Sequence, residues 1–206
     1  MPIALKPRKK PLQARSAVTV DAIVEATIRI LRRDGWAACT TTRVATLAGV
    51  SVGSLYQYFP NRNAIAVEIV RQRTRTYLEA VIAADLSHAT TPEEAIEGAI
   101  SAFVIEKRRG LDVSLALRDA LPEVQGRQAI IEEARRFVPA LQAKLAAAGA
   151  GTADAAQLAV ALAAVEGAVW EIMAQDETAI GRPEAIAALS RVFRAAAGFS
   201  PAAAAR

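Results

Sequence analysis

Thr41-Thr-Arg-Val-Ala-Thr-Leu-Ala-Gly-Val-Ser-Val-Gly-Ser-Leu-Tyr-Gln-Tyr-Phe-Pro60 reads as two short amphipathic helices joined by a tight turn. Val44, Ala45, Ala48, Val50, Leu55 and Tyr58 supply the apolar contacts between them. Gly49 falls where the chain must turn sharply and a Cβ is expected to clash. Ser51 then caps the second helix through its side-chain oxygen. The outer face of that helix carries Ser54, Tyr56 and Gln57, groups suited to base edges and phosphates in a DNA groove. On this reading the second helix reads and the first braces it.

Working outward, the charge distribution agrees with the motif. Residues 1–75 hold 13 Lys or Arg against 4 Asp or Glu, whereas residues 76–206 hold 12 against 17. A basic first third fits phosphate neutralisation, and an acidic remainder is repelled by a duplex. Lys6, Arg8, Lys9, Lys10 and Arg15, interrupted by Pro2, Pro7 and Pro11, cannot bury a core, so residues 1–18 are expected to be a flexible basic arm. No secretory h-region or cleavage site follows these cations, which predicts a cytoplasmic protein. Continuous apolar runs such as Leu158–Val165 fall short of the roughly 20 residues of a membrane span, and no membrane partner is expected.

Every remaining segment has helical spacing, and sustained period-two alternation is missing from the sequence, so the fold is predicted to be all-α. Val20, Ile23, Val24, Thr27, Ile30 and Leu31 mark a helix capped by Thr19 and closed by Gly35. Asn61 caps a long helix running to about Leu86. Thr91, Pro92 and Glu94 open another, with a buried line of Ile96, Ile100, Phe103 and Val104. A short helix is expected over Val113–Ala120, then one from Pro122 to the Gly149–Gly151 break, one over about Ala153–Gln175 and a last over Pro183–Ala197. The domain reading is an arm at 1–18, a DNA-binding domain at 19–65, and a helical domain at 66–206 joined through the long helix.

Thr19 to Ile69, and above all the segment quoted with its following Asn61-Arg62, resembles the DNA-binding domain of the TetR family of bacterial transcriptional regulators. The resemblance implies a helix-turn-helix head, a homodimer, palindromic operator DNA, and a carboxy-terminal domain that binds a small effector and releases the operator. Position by position it assigns DNA contact to Thr42, Arg43, Ser51, Val52, Ser54, Leu55, Tyr56, Tyr58 and Arg62. Tyr56 and Tyr58 cannot share a helix face, so Tyr56 is expected outward and Tyr58 inward. Asn63 departs from the acidic residue usual in the family, but Asn61 already supplies the cap. Arg71, Arg73 and Arg75 stand beyond Arg62 and are read as a solvated face.

The effector site implied by the resemblance needs walls, and Phe103, Leu117, Phe137, Trp170 and Met173 are the large side chains available, with Arg118 and Glu166 as polar anchors. These suit a hydrophobic or aromatic ligand, although each also lies at ordinary core spacing. Leu162, Val165, Val169, Ile186, Leu189 and Phe193 form a seam on the last two helices. That seam packs either within one subunit or, the reading preferred here, against a partner's copy in a four-helix bundle. One histidine, one cysteine and no strand-fed phosphate loop speak against an enzyme, a metal site or a cofactor. His88 is read as a surface residue and Cys39 as buried and inert. Two alternatives stay open, a constitutive DNA-binding regulator without effector and a helical adaptor that ignores DNA.

Overall fold

A computed structural model describes residues 14–118 and 126–199. Among these, the chain forms nine α-helices and two short 3-10 turns, with no strand. The helices are α1 (Ala14–Asp34), α2 (Thr41–Ala48), α3 (Val52–Tyr58), α4 (Arg62–Ala83), α5 (Pro92–Arg109), α6 (Leu111–Arg118), α7 (Gly126–Ala147), α8 (Ala155–Gln175) and α9 (Pro183–Ala197). The predicted arm and the predicted start at Pro122 fall on residues outside this description, except that Ala14–Val18, assigned to the arm, are already helical.

The described chain divides into two compact units. The first comprises residues 14–73 with 110–118 and 126–130; the second comprises 74–109 with 131–199. The boundary thus differs from the predicted single cut after residue 65. Val113, Leu117 and Ala129 are buried in the same core as Ile23, Ile30, Leu31, Val44, Leu55, Phe59, Ile65 and Ile69. An ion pair between Arg32 and Asp112 ties α6 to α1 at its surface. Apolar periodicity marks α6 as amphipathic but carries no address for the core it enters.

In the second unit α9 packs along α8 and also against α5. Arg194 pairs with Glu93, joining α9 to the first turn of α5. Buried Glu133 on α7 accepts from Arg75 on α4 and from Arg136, both at 2.9 Å. Arg75 is therefore committed to an ion pair instead of the solvated face expected of it. In the first unit the Arg73 guanidinium lies where a Cβ on Gly110 would sit, only 1.4 Å from Nη2, so a bare glycine is what lets the side chain lie there.

The helix ends follow local chemistry. Asp154 and Gln157 form a reciprocal capping box that opens α8. Glu94 Oε2 accepts from the Thr90 N–H at 2.7 Å and the Thr90 hydroxyl at 2.8 Å, while Thr91 Oγ1 accepts from the Glu94 N–H at 3.2 Å, a box spread over two threonines. Gly149 and Gly151 both take positive φ after α7.

The seam predicted for a partner is largely interior. Val165, Val169, Leu189 and Phe193 are buried within the chain itself, because α8 and α9 turn these faces into their own unit. Leu162 and Ile186, at the edge of the seam, remain half-buried. α8 is 21 residues long and matches a membrane span in length and composition, although Glu166 and Glu171 interrupt its apolar run. Its buried line is Leu158, Ala161, Val165, Val169 and Met173, yet Val160, on the opposite side, is 59% exposed.

Candidate nucleic-acid interface

The two-helix head is built by caps and a core. Thr40 Oγ1 accepts from the Arg43 N–H at 3.3 Å and starts α2. Gly49 ends it at φ 69°, with its N–H returned to the carbonyls of Ala45 and Thr46. A Cβ placed on Gly49 would meet nothing within 4 Å, so the left-handed backbone, and not the crowding expected from the sequence, reserves this position for glycine. Ser51 Oγ then accepts from the Ser54 N–H at 2.9 Å and starts α3, as its position predicts. Asn61 Oδ1 accepts from the Ala64 N–H at 2.9 Å and starts α4.

Leu55 is fully buried, together with Val44, Ala45 and Phe59, and so holds α3 against α2 and cannot touch DNA. Its place in the DNA-contact set is corrected accordingly: at the middle of a seven-residue helix, one side must supply the core. Tyr58 is half-buried against that core, also on the inner side. Tyr56 is 41% exposed, and its hydroxyl lies 3.1 Å from Thr41 Oγ1, which joins the end of α3 to the start of α2. Thr42, Ser51, Val52 and Gln57 are exposed beside it, and Ser54, half-buried, shares a hydrogen bond with Ser51 Oγ at 2.8 Å. Leu47 is 48% exposed at the last turn of α2, a position the sequence pattern did not single out.

The outer face of α3 is therefore a neutral surface of hydroxyls, one amide and apolar groups, since Val52–Tyr58 contains no charged residue. Such groups can discriminate a thymine methyl or hydrogen-bond base edges but cannot neutralise phosphate. Charge has to come from the flanks. Arg43 is half-buried and its guanidinium is held by Asp34, which also accepts from Arg33 at 2.9 Å. These contacts, with the Arg33 hydrogen bond foremost, hold the Asp34 carboxyl below its ordinary pKa. Arg62, assigned a phosphate contact by the resemblance, has its guanidinium carbon 4.6 Å from the centre of the Trp36 ring, where a weakly hydrated planar cation meets the negative ring face.

Cys39, beside this head, is buried, and desolvation pushes its thiol up to about 11, against the pull of Arg62 and Arg43. At neutral pH it is a thiol and a small apolar filler. His88 is exposed, with Asp85 at 3.8 Å. No cluster of three metal-ligating side chains occurs among the described residues.

The second unit brings together part of the predicted effector set. Phe103 on α5 and Trp170 and Glu166 on α8 converge on Lys107, with Tyr77 of α4 as a third ring. Met173 is buried one turn beyond Trp170, Phe137 is half-buried on α7, and Leu117 belongs to the core of the first unit. The Arg118 side chain is outside the described residues. Sequence reasoning passed over Lys107, although the buried line of α5, Ile96–Ile100–Phe103–Val104, reaches it at the next step of three.

Residues 17–69 match the family model of bacterial regulatory proteins of the TetR family. No curated protein matches the chain by sequence. Among solved structures, the R. erythropolis transcriptional repressor QsdR of the TetR family is similar at 14% identity and a TM-score of 0.63, over 91% of this chain and 98% of that one. The fatty acid degradation regulator FadR from Bacillus halodurans is similar at 18% identity and a TM-score of 0.56, over 92% and 96%. The multidrug binding protein EbrR, complexed with imidazole, is similar at 21% identity and a TM-score of 0.60, over 89% and 97%. At these identities the likeness is one of fold, and the family match itself is confined to the head, residues 17–69, which is similar to bacterial regulatory proteins of the TetR family.

Proposed function

We propose that the chain is a cytoplasmic, effector-responsive repressor that binds palindromic operator DNA as a homodimer. The observation that carries the DNA part is the capped α2–α3 pair, whose inner side is closed by Leu55 and whose outer side offers Thr42, Ser51, Val52, Ser54, Gln57 and Tyr56. One neutral reading helix of seven residues reads too few bases for specificity, and a symmetric pair doubles the site.

The partner surface is reassigned from the interior seam to the outer side of α8. Ala156, Val160, Ala163, Gly167 and Ala174 recur there at steps of three, four and seven, and all are exposed in the single chain. A helix that is apolar on both sides but covered on one wants a second cover. Neighbours described as a fatty acid degradation regulator and a multidrug binding protein support the small-molecule part of the reading. The effector acts by binding one arrangement of the dimer better than another, since only that difference moves the equilibrium.

Selection of bound sequences from a random duplex pool tests the proposal, with sedimentation of the free and bound protein. An inverted repeat occupied by two chains is expected. Val160→Arg should yield monomers and weaken operator binding by at least about tenfold, or about 1.4 kcal/mol. A wild-type monomer without sequence preference would overturn the reading.

A further inference from the structure

Lys107 occupies an aromatic cage inside its own unit. Its side chain is 3% exposed, its Nζ donates to Glu166 Oε1 at 2.7 Å, and the ring centres of Tyr77, Trp170 and Phe103 lie 4.9, 5.4 and 5.8 Å from the nitrogen. All three are within the roughly 6 Å over which a cation is attracted to a ring face. Three negative ring faces and one carboxylate make a receptor for a single positive charge. The lysine fills it as a tethered occupant on a flexible four-carbon stem.

We infer that this cage is the effector site and that its effector is a weakly hydrated organic cation, which enters by displacing the Lys107 ammonium. The inference rests on the proposed effector response and names the ligand class. Exchange of one cation for another leaves the charge of the cage unchanged, so Glu166 is never left unpaired in the interior. The ammonium regains strong hydration when it swings out to water. A quaternary or aromatic cation loses little hydration on entering and gains more from the rings, so the swap selects against small, strongly hydrated cations. An anion would have to take Glu166's place and face the negative side of three rings. The rim of the cage reaches the surface, since Trp170 and Phe103 are half-buried and Glu166 keeps 15% of its side chain exposed, whereas Tyr77 is buried.

Three soluble aromatic probes that differ in charge separate the possibilities by calorimetric titration of the full chain: phenyltrimethylammonium, benzyl alcohol and benzoate. The cation should bind saturably and at least about tenfold more tightly than either comparator, a difference of about 1.4 kcal/mol. Lys107→Ala, checked for folding by its melting curve, should tighten the cation several-fold by removing its competitor, and Glu166→Gln should weaken it. Equal or tighter binding of benzyl alcohol or benzoate overturns the inference. So does a folded Lys107→Ala that gains nothing for the cation, which would make the lysine a fixed structural partner. The wild-type titration stands even if that variant fails to fold, and no binding of the cation there also overturns the inference. In that event, release of selected operator DNA by a neutral or anionic compound would leave the effector response intact, whereas release by no compound would remove both.

Discussion

Arg43 and Lys107 are each held by a carboxylate of their own unit, yet their surroundings are opposite. Arg43 keeps 38% of its side chain exposed and shares Asp34 with Arg33, whereas Lys107 keeps 3% and is enclosed by Glu166 and three rings. In high dielectric an exposed pair is worth at most about 1 kcal/mol and is screened by salt, so Asp34 can yield its arginine to a phosphate at little cost. A buried pair is hard to open on one side only, because the partner left behind has neither water nor a counter-charge. The head is thus built for exchange with a polyanion, and the second unit for exchange of like with like.

The sharpest break of this contrast is Glu166→Ala. With Lys107 left charged and enclosed, stability should fall by about 3–5 kcal/mol, seen as a lowered denaturation midpoint. The double variant Lys107→Met/Glu166→Leu removes both charges while keeping the volume filled and should recover most of that loss. If the double variant is as unstable as the single one, packing and not charge holds the cage.

Within the head, adjacent residues of α3 separate stability from reading. Leu55→Ala opens a cavity in the first core and should cost about 2–5 kcal/mol of stability. Tyr56→Phe removes only the hydroxyl that meets Thr41 on an exposed face, and stability should change by no more than about 0.5 kcal/mol. Its effect belongs in operator discrimination, measured as the affinity ratio between selected operator and random duplex. A Tyr56→Phe protein with an unchanged ratio would remove this tyrosine from the reading set.

Much of this architecture was legible along the chain, and what was illegible has a common cause. Caps and breakers are local, so Ser51, Asn61, Gly149 and the bounds of α9 from Pro183 to Ala197 follow from their neighbours. Periodicity likewise gave α5 its buried line. It reports that a residue faces something, however, without saying what. The seam of Val165, Val169, Leu189 and Phe193 was rightly apolar but belongs inside one subunit, and the exposed side of α8 escaped notice because alanine and glycine give no strong periodic signal. Lys107 and Glu166 are 59 residues apart, Arg75 and Glu133 are 58, and Arg32 and Asp112 are 80. Charge partners at such separations are set by the fold, and no spacing rule reaches them.

Asp34→Asn tests the exposed side of the contrast and should have the smallest effect. Because the folded carboxyl titrates below its ordinary 3.8, its contribution to stability is present above that pH and is lost as pH falls through the depressed folded value. The variant lacks this loss, so its stability should fall less than that of wild type as pH drops below 3.8. At neutral pH the substitution releases Arg43 and Arg33 from their shared acceptor. Each additional phosphate neutralised adds about 0.9 to the slope of log affinity against log salt, so random duplex should bind more tightly at low salt with a slope steeper by about 1–2. An unchanged slope would mean that neither arginine reaches the backbone, and phosphate neutralisation would then fall to cations elsewhere in the basic first third of the chain.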